Sequence, residues 1–311
     1  MPVALQLNPF SASLEADLRR RLETVRWFEL GEDERAAWLK DRASEVVAIV
    51  AGGHIGGPTE LIQALPRLKI VAINGVGYDK VDLALARSRG VRVTTTPGTL
   101  TDDVADLAIG LIISLLRQIP AAEAHVRSGA WPSGEQPLAR KVTGRRFGIL
   151  GLGHIGGAIA ARLAAFGPVA YTSRSAKPAP YAFHPDARAL AEASDVLVVA
   201  CVANASTRHM VDAGVLDALG RDGWLVNVSR GSVVDEAALI AALEAGRIAG
   251  AALDVFENEP HVPEALRASP KVVLTPHIAS ATAETRAAMA ALVLANLDAV
   301  LRGEEPPTPV A

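Results

Sequence analysis

At 311 residues the chain is long enough for two domains of ordinary size, each with its own core. Half the residues are hydrophobic, 4% are aromatic and 26 are glycine, a balance that suits alternating helices and strands and excludes a disordered or fibrous chain. The formal charge of −3 leaves no global basic field for nucleic acid, and the lone cysteine, Cys201, excludes an intrachain disulfide and fits a reducing cytoplasm.

From Met1 to Leu7 the chain lacks the charged and apolar regions of a targeting signal. Short apolar runs at 4–7, 25–29, 46–51, 70–74 and 91–94 predict five strands, with helical patterns between them such as 58–64 and 83–89. A strong helix is expected from Thr101, placed to cap it, with Asp102 and Asp103 at the positive dipole end. It should run to about Gln118, where Pro120 stops or kinks it. Its most apolar part, residues 107–116, is about half a membrane span, so it reads as a buried helix, apolar nearly all round and suited to a subunit interface; no membrane partner is expected.

A Pro/Gly-rich stretch at 131–137 and a basic cluster, Arg140, Lys141, Arg145 and Arg146, read as solvated turns before a second series. That series has six apolar runs, at 147–151, 169–172, 196–201, 224–228, 250–255 and 272–275, the number a full dinucleotide-binding sheet needs. Cys201 ends one of these runs and reads as packing, not as a nucleophile. A last helix over 283–302 is expected to pack back on the first domain, and the Gly-Glu-Glu-Pro-Pro tail after it to be mobile. The fold class is therefore α/β, with two doubly wound parallel-sheet (Rossmann-like) domains: a discontinuous, flavodoxin-like one over 1–96 and 284–311, and a dinucleotide-binding one over 97–283.

Gly151-Leu-Gly153-His154-Ile155-Gly156 follows a strand and opens a helix, with another strand beyond. Glycines there permit a tight turn and close backbone approach, and a helix N-terminus offers amides to a pyrophosphate; the spacing alone also occurs in structural turns, so the setting carries the reading. At the end of the next strand, Tyr171-Thr172-Ser173-Arg174-Ser175 lacks the carboxylate that would accept a ribose hydroxyl. Arg174 can pair with a 2′-phosphate and Ser173 and Ser175 can donate to it, which favours NADPH over NAD; a solvated loop arginine is the alternative.

Three polar residues stand at or just after strand ends of the second series: Arg230, Glu259 and His277. Singly they read as a capping arginine, an exposed acid before proline and a turn histidine. Together they supply what ketone reduction requires. An imidazolium protonates the forming alkoxide, a carboxylate beside it favours the charged ring and fixes it, and a guanidinium binds a substrate carboxylate and polarises the carbonyl. No metal site is expected.

The segments 151–156, 227–236, 251–260 and 275–280 resemble the signature blocks of the D-specific 2-hydroxyacid dehydrogenases. The resemblance implies a catalytic arginine, glutamate and histidine at Arg230, Glu259 and His277, with Glu259 preferred to the nearby Glu257 because the family's acid immediately precedes the proline. It implies that Asn74-Gly-Val-Gly77 is a substrate loop whose amides, at Val76 and Gly77, receive the carboxylate; a glycine-rich turn is the plainer reading. It further implies that Asp254 holds the nicotinamide carboxamide and that His154, Ile155, Cys201, Val202, Thr207 and Val228 line the cofactor. The active site would sit in a cleft between two domains, crossed near 95–97 and 280–283, in a homodimer.

Within the family, Thr96–Asp106 and the Ser-Arg-Ser loop look most like the glyoxylate/hydroxypyruvate reductase branch, with reductases of aromatic 2-oxo acids such as hydroxyphenylpyruvate as runner-up. No amino-acid-sensing extension is expected. Trp131 is a candidate to reach a partner's active site, although a packing anchor is the plainer reading, and His54 reads as a surface loop residue. A binding protein that senses nicotinamide redox state, like the related corepressors, would need a basic patch or partner-binding tail that the sequence does not show.

Overall fold

The computed structural model describes residues 1–310, which divide into two compact units: Met1–Leu100 together with the segment from Ala281 onward, and Thr101–Ser280.

The first unit runs β1 (Val3–Gln6), α1 (Ala12–Arg21), β2 (Glu23–Arg26), α2 (Glu32–Arg42), β3 (Val46–Gly52), α3 (Thr59–Ala64), β4 (Ile70–Asn74), α4 (Leu83–Ser88) and β5 (Arg92–Thr94). All strand pairs are parallel and the order is β2-β1-β3-β4-β5, the flavodoxin-like arrangement. Every residue of β1, β3 and β4 is buried. Helices cover both faces, which is why these strands appear as continuous apolar runs without alternation. The strand expected over 25–29 stops at Arg26; Trp27–Glu29 form a 3-10 turn that buries Trp27 edge-on against Trp38, ring centroids 5.9 Å apart.

The second unit begins with α5 (Thr101–Leu116) and α6 (Ile119–Arg127). Thr101 is the first helical residue of α5 and not its cap. The two helices meet at 64°, with Gln118 in the left-handed region (φ 52°) and Pro120 in the first turn of α6, where a proline's missing N–H costs nothing. The proline thus opens a second helix that the sequence reading missed. Nor is α5 buried all round: Val104, Ala108, Leu111 and Leu115 face inward while Asp102, Asp106 and Gly110 are exposed. No single helix among the described residues is long and apolar enough to cross a membrane.

There follow β6 (Phe147–Leu150), α7 (His154–Leu163), β7 (Val169–Thr172), β8 (Ala182–Phe183), α8 (Ala187–Glu192), β9 (Val196–Val199), α9 (Ala213–Leu219), β10 (Trp224–Asn227), α10 (Glu236–Glu244), β11 (Gly250–Leu253), α11 (Glu264–Arg267) and β12 (Val272–Leu274). The parallel sheet has seven strands and not six, in the order β12-β11-β10-β9-β6-β7-β8. The extra one, β8, is two exposed residues long and leaves no apolar run to notice. Connections run outward from β6 in one direction through β7 and β8, and from β9 in the other. The switch point of this Rossmann order therefore lies between β6 and β9, where open α/β sheets take their ligands. Arg162 on α7 ties the sheet's first crossover helix to α5 through Asp102 (2.9 Å) and Asp106 (2.7 Å).

The chain then returns to the first unit as α12 (Ala283–Arg302), capped by Thr282, whose Oγ1 accepts from Thr285 N (3.2 Å), and closed by Gly303 at φ 80°. Val293, Leu294, Leu297 and Val300 pack with Leu14 and Leu18 of α1 over β3 and β4. The tail expected to be mobile is instead pinned along β5. Thr308 donates through Oγ1 to Thr95 O (2.6 Å), the fully buried Asn296 bonds Thr308 at both ends of its amide (2.8 and 3.0 Å), and Val310 N donates to Val93 O (2.7 Å). Covering the exposed edge of β5 gives the tail its order, and composition alone did not signal it.

Candidate active site

Arg230, Glu259 and His277 follow the C-terminal ends of β10, β11 and β12, three neighbouring strands of the second sheet. Parallel strands with matched register deliver the residues after their ends to the same edge, so a separation of 47 residues in sequence becomes adjacency in space.

The Arg230 turn is shaped by Asn227, which is 1% exposed: its Oδ1 accepts from Ser229 N (3.0 Å) and its Nδ2 donates to Arg230 O (3.0 Å). One Arg230 nitrogen donates to Ser229 O at 2.8 Å. Asn227 was legible only as part of a motif, and its bracing role was not.

His277 sits at φ 53°, a left-handed backbone that costs a non-glycine residue about 1 kcal/mol. Asp254 holds it there. With no exposed surface, Asp254 accepts from Thr275 Oγ1 (2.6 Å), Ile278 N (2.9 Å) and Ala279 N (3.0 Å), and its carbonyl takes His277 N (2.8 Å). Burial pushes the Asp254 carboxyl above its ordinary value, against those three bonds. The ring it positions meets Glu259: His277 Nδ1 lies 2.7 Å from Glu259 Oε2, and Glu259 Oε1 accepts from Phe256 N at 3.0 Å. Burial works to raise the Glu259 carboxyl, but the His277 bond and charge, the Phe256 amide and the Arg230 charge outweigh it, and the net direction is down. The pair's stabilising contribution is therefore present above the ordinary carboxylate value and is lost as pH falls through the lower folded one. Of the three side chains expected to converge, the imidazole and the carboxylate are in contact, and the Arg230 guanidinium is near enough for its charge to act on Glu259. With Nδ1 committed to the acid, proton exchange with a substrate falls to Nε2.

Glu257, two residues earlier, meets a different histidine: its Oε1 lies 2.8 Å from both His209 Nε2 and an Arg208 nitrogen.

The glycine loop follows β6 at the switch point. Gly151 (φ 102°) has no room for a side chain, since a Cβ would stand 2.5 Å from Cys201 Cα at the end of β9. At Gly156 a Cβ would stand 1.9 Å from Gly151 O. Gly153, exposed at the N-cap of α7, meets nothing within 4 Å. Two glycines are thus demanded by the fold, while the third leaves open space at a helix N-terminus, which fits a pyrophosphate. His154 is exposed, Ile155 half-buried and Val228 buried, and Val202 stands 67% exposed beside the loop, an apolar face open to a ring. The Thr207 hydroxyl is engaged in its own turn, accepting from Asn204 N (2.9 Å) and donating to Val202 O (2.8 Å). Burial raises the Cys201 thiol to about 11, so it is no nucleophile at neutral pH.

After β7, Arg174 and Ser175 are exposed, with the Ser173 hydroxyl donating to Ser175 O (2.6 Å). Lys177, which no sequence motif singles out, donates from Nζ to Leu152 O (2.5 Å) and so places a second cation over the glycine loop. Val76 and Gly77 lie in the first unit, after the end of β4, in a loop tied by Thr96 N to Gly75 O (2.8 Å). His54 is exposed there. Trp131 in the second unit is 64% exposed. Among the described residues no group of three or more His, Cys, Asp or Glu is placed to hold a metal ion.

Residues 109–279 match the family described as D-isomer specific 2-hydroxyacid dehydrogenase, NAD binding domain. The chain is 48% identical to glyoxylate/hydroxypyruvate reductase A of Arabidopsis thaliana, over 98% of both chains, and 47% identical to hydroxyphenylpyruvate reductase of Plectranthus scutellarioides, also over 98% of both. Among solved structures it is similar to an NADPH-dependent glyoxylate/hydroxypyruvate reductase from Sinorhizobium meliloti in complex with NADP and malonate, with a TM-score of 0.93 and 46% identity over 100% of this chain and 97% of that one.

Proposed function

The chain belongs to the D-isomer specific 2-hydroxyacid dehydrogenases, with a Rossmann-like NAD(P)-binding unit, and on that footing we propose that it is an NADPH-dependent reductase of small 2-oxo acids such as glyoxylate and hydroxypyruvate. The observation that carries the reading is the His277–Glu259 pair at 2.7 Å beside the Arg230 turn, on the same sheet edge as the glycine loop.

When bound, the reduced nicotinamide supplies the hydride. The chain's own residues do the rest. Arg230 holds the substrate carboxylate and draws charge from the carbonyl. His277 delivers a proton from Nε2 to the carbonyl oxygen, and takes one from the hydroxyl in the reverse direction. Glu259, held ionised below the usual carboxylate range, keeps the ring oriented through Nδ1. The cofactor contacts of His154, Ile155, Ser173, Ser175, Cys201, Val202, Thr207 and Val228, and the carboxylate contacts of the Val76 and Gly77 amides, belong to this proposal; Asp254, expected to hold the carboxamide, has no exposed surface and spends its carboxylate on Thr275, Ile278 and Ala279.

Preference for NADPH rests on two cations, Arg174 and Lys177, and on the absence of a carboxylate from 172–178. Replacing Arg174 with Ala should lower kcat/KM with NADPH by about 10- to 100-fold, the loss of a charge-assisted bond of roughly 1.5–3 kcal/mol, and leave NADH nearly unchanged. A wild-type preference for NADH, or equal losses with both cofactors, would show Arg174 to be a solvated loop residue.

The relative that reduces hydroxyphenylpyruvate matches as well as the glyoxylate reductase does, so aromatic 2-oxo acids are the second reading. Turnover of glyoxylate, hydroxypyruvate and hydroxyphenylpyruvate side by side separates the two. A homodimer is proposed from Ile119, Val126, Trp131 and Leu138, exposed apolar residues gathered in one segment between α5 and β6. Light scattering that returned a monomer mass would remove it.

A further inference from the structure

We propose that His209 and Glu257 form a positioning pair that locks the Arg230 loop to the Glu259 loop. In this role neither residue touches substrate or moves a proton; each acts through the catalytic residues beside it.

The geometry forms a continuous chain. The backbone around His209 is bonded to the segment that follows Arg230: His209 N donates to Ser232 O (2.9 Å), Val211 N to Val233 O (3.0 Å) and Asp235 N to Val211 O (3.0 Å). The His209 ring, in turn, lies 2.8 Å from Glu257. Glu257 also bonds Arg208 (2.8 Å), and its backbone N donates to Glu236 Oε2 (3.3 Å), at the first residue of α10. From Glu257 the chain needs two residues to reach Glu259, whose carboxylate holds His277. The loop 256–259 therefore carries two acids, one on each of two histidines, so that it is held on both sides.

One further observation fits a clamp better than a surface ion pair: Gly231, next to Arg230, lies against the Phe256–Glu257 peptide so closely that a Cβ there would be 1.9 Å from Phe256 C. The two loops are thus in contact, and the His209–Glu257 bond is what holds them in register. The turn that ends in His209 begins at Val202 and contains Thr207, so the pair also joins the stretch proposed to line the cofactor to both catalytic loops.

The test uses the full chain with His209→Ala, Glu257→Ala, the double variant and His209→Gln, which keeps an N–H donor at similar reach. The kinetic arm rests on the reductase reading. kcat should fall about tenfold in each single alanine variant, because a small misplacement of acid and base costs rate more than binding, with KM for the 2-oxo acid and for NADPH moving less than about threefold. The double variant should be no slower than the slower single one, as expected for residues acting as a unit, and His209→Gln should recover most of the rate. The second arm needs no turnover: hydrogen exchange of the protein without cofactor should quicken in 229–236 and 255–261 in both alanine variants and much less in His209→Gln. Unchanged exchange in both stretches overturns the pair whatever the kinetics show. So do alanine variants within about twofold of wild-type kcat, or losses that multiply in the double variant. A wild-type protein without turnover would instead overturn the reductase reading, with the exchange arm still deciding the pair.

Discussion

Replacing His277 with Ala is expected to lower kcat/KM for 2-oxo acid reduction by about 10³-fold, near the middle of the range a positioned acid–base group contributes, with NADPH affinity held within about threefold. The expectation follows from where the ring is anchored. His277 is held through Nδ1 by Glu259, and neither residue shapes the glycine loop after β6, so the proton is lost without loss of the nucleotide. Fold should also be spared, because the turn is braced by Asp254 through backbone amides at 278 and 279 that the substitution leaves in place. Removing the side chain also relieves no clash and empties no buried core. Steady-state rates and fluorescence titration with NADPH check both halves; turnover within about tenfold of wild type would remove His277 from the proton step.

The second large effect separates two glycines three residues apart. Gly156→Ala drives a methyl into Gly151 O, a 1.9 Å approach to backbone that has nowhere to move because Gly151 itself is wedged against Cys201. The expected cost is about 3 kcal/mol or more, which at roughly 2–4 °C per kcal/mol for a unit of this size lowers Tm on the order of 10 °C. Nucleotide binding should go with it. Gly153→Ala meets nothing in the protein, so Tm should fall by no more than about 3 °C, the small loss at an N-cap position, while NADPH affinity falls at least about tenfold because the methyl occupies the space left for the pyrophosphate. Thermal unfolding beside titration distinguishes them. Equal losses of stability in the two variants would mean that Gly153 serves the fold and not a ligand.

What could be read from the residues depended on which interactions are local. The buried parallel strands announced themselves because both faces are covered, and β4 and β7 fall where the apolar runs put them. The glycine loop was legible because its constraint is backbone geometry within one strand–turn–helix unit. Other features depended on partners distant in sequence. The order of the tail comes from Asn296 and the open edge of β5, and β8 exists only because β7 offers it hydrogen bonds. Pro120 read as a stop because a proline in a first turn and one after a last turn look alike without the bend between them. At the site, the identities of Arg230, Glu259 and His277 were readable. The choice between Glu257 and Glu259 rested on resemblance until each acid was seen on its own histidine. The bonds of Asn227, Lys177 and Asp254 carry little signal in sequence, since apart from the Thr275 and Ser229 hydroxyls their partners are carbonyls and amides that any residue would supply.

A 2-oxo acid bound to this chain should receive a hydride from the nicotinamide and a proton from His277. Mixing the purified protein with NADPH and, in separate cuvettes, glyoxylate, hydroxypyruvate and hydroxyphenylpyruvate follows that chemistry directly through the nicotinamide absorbance. Absorbance should fall with at least one of the three, matched mole for mole by a D-configured 2-hydroxy acid wherever the product is chiral. Unchanged absorbance across a broad panel of 2-oxo acids, with both NADPH and NADH, would contradict it.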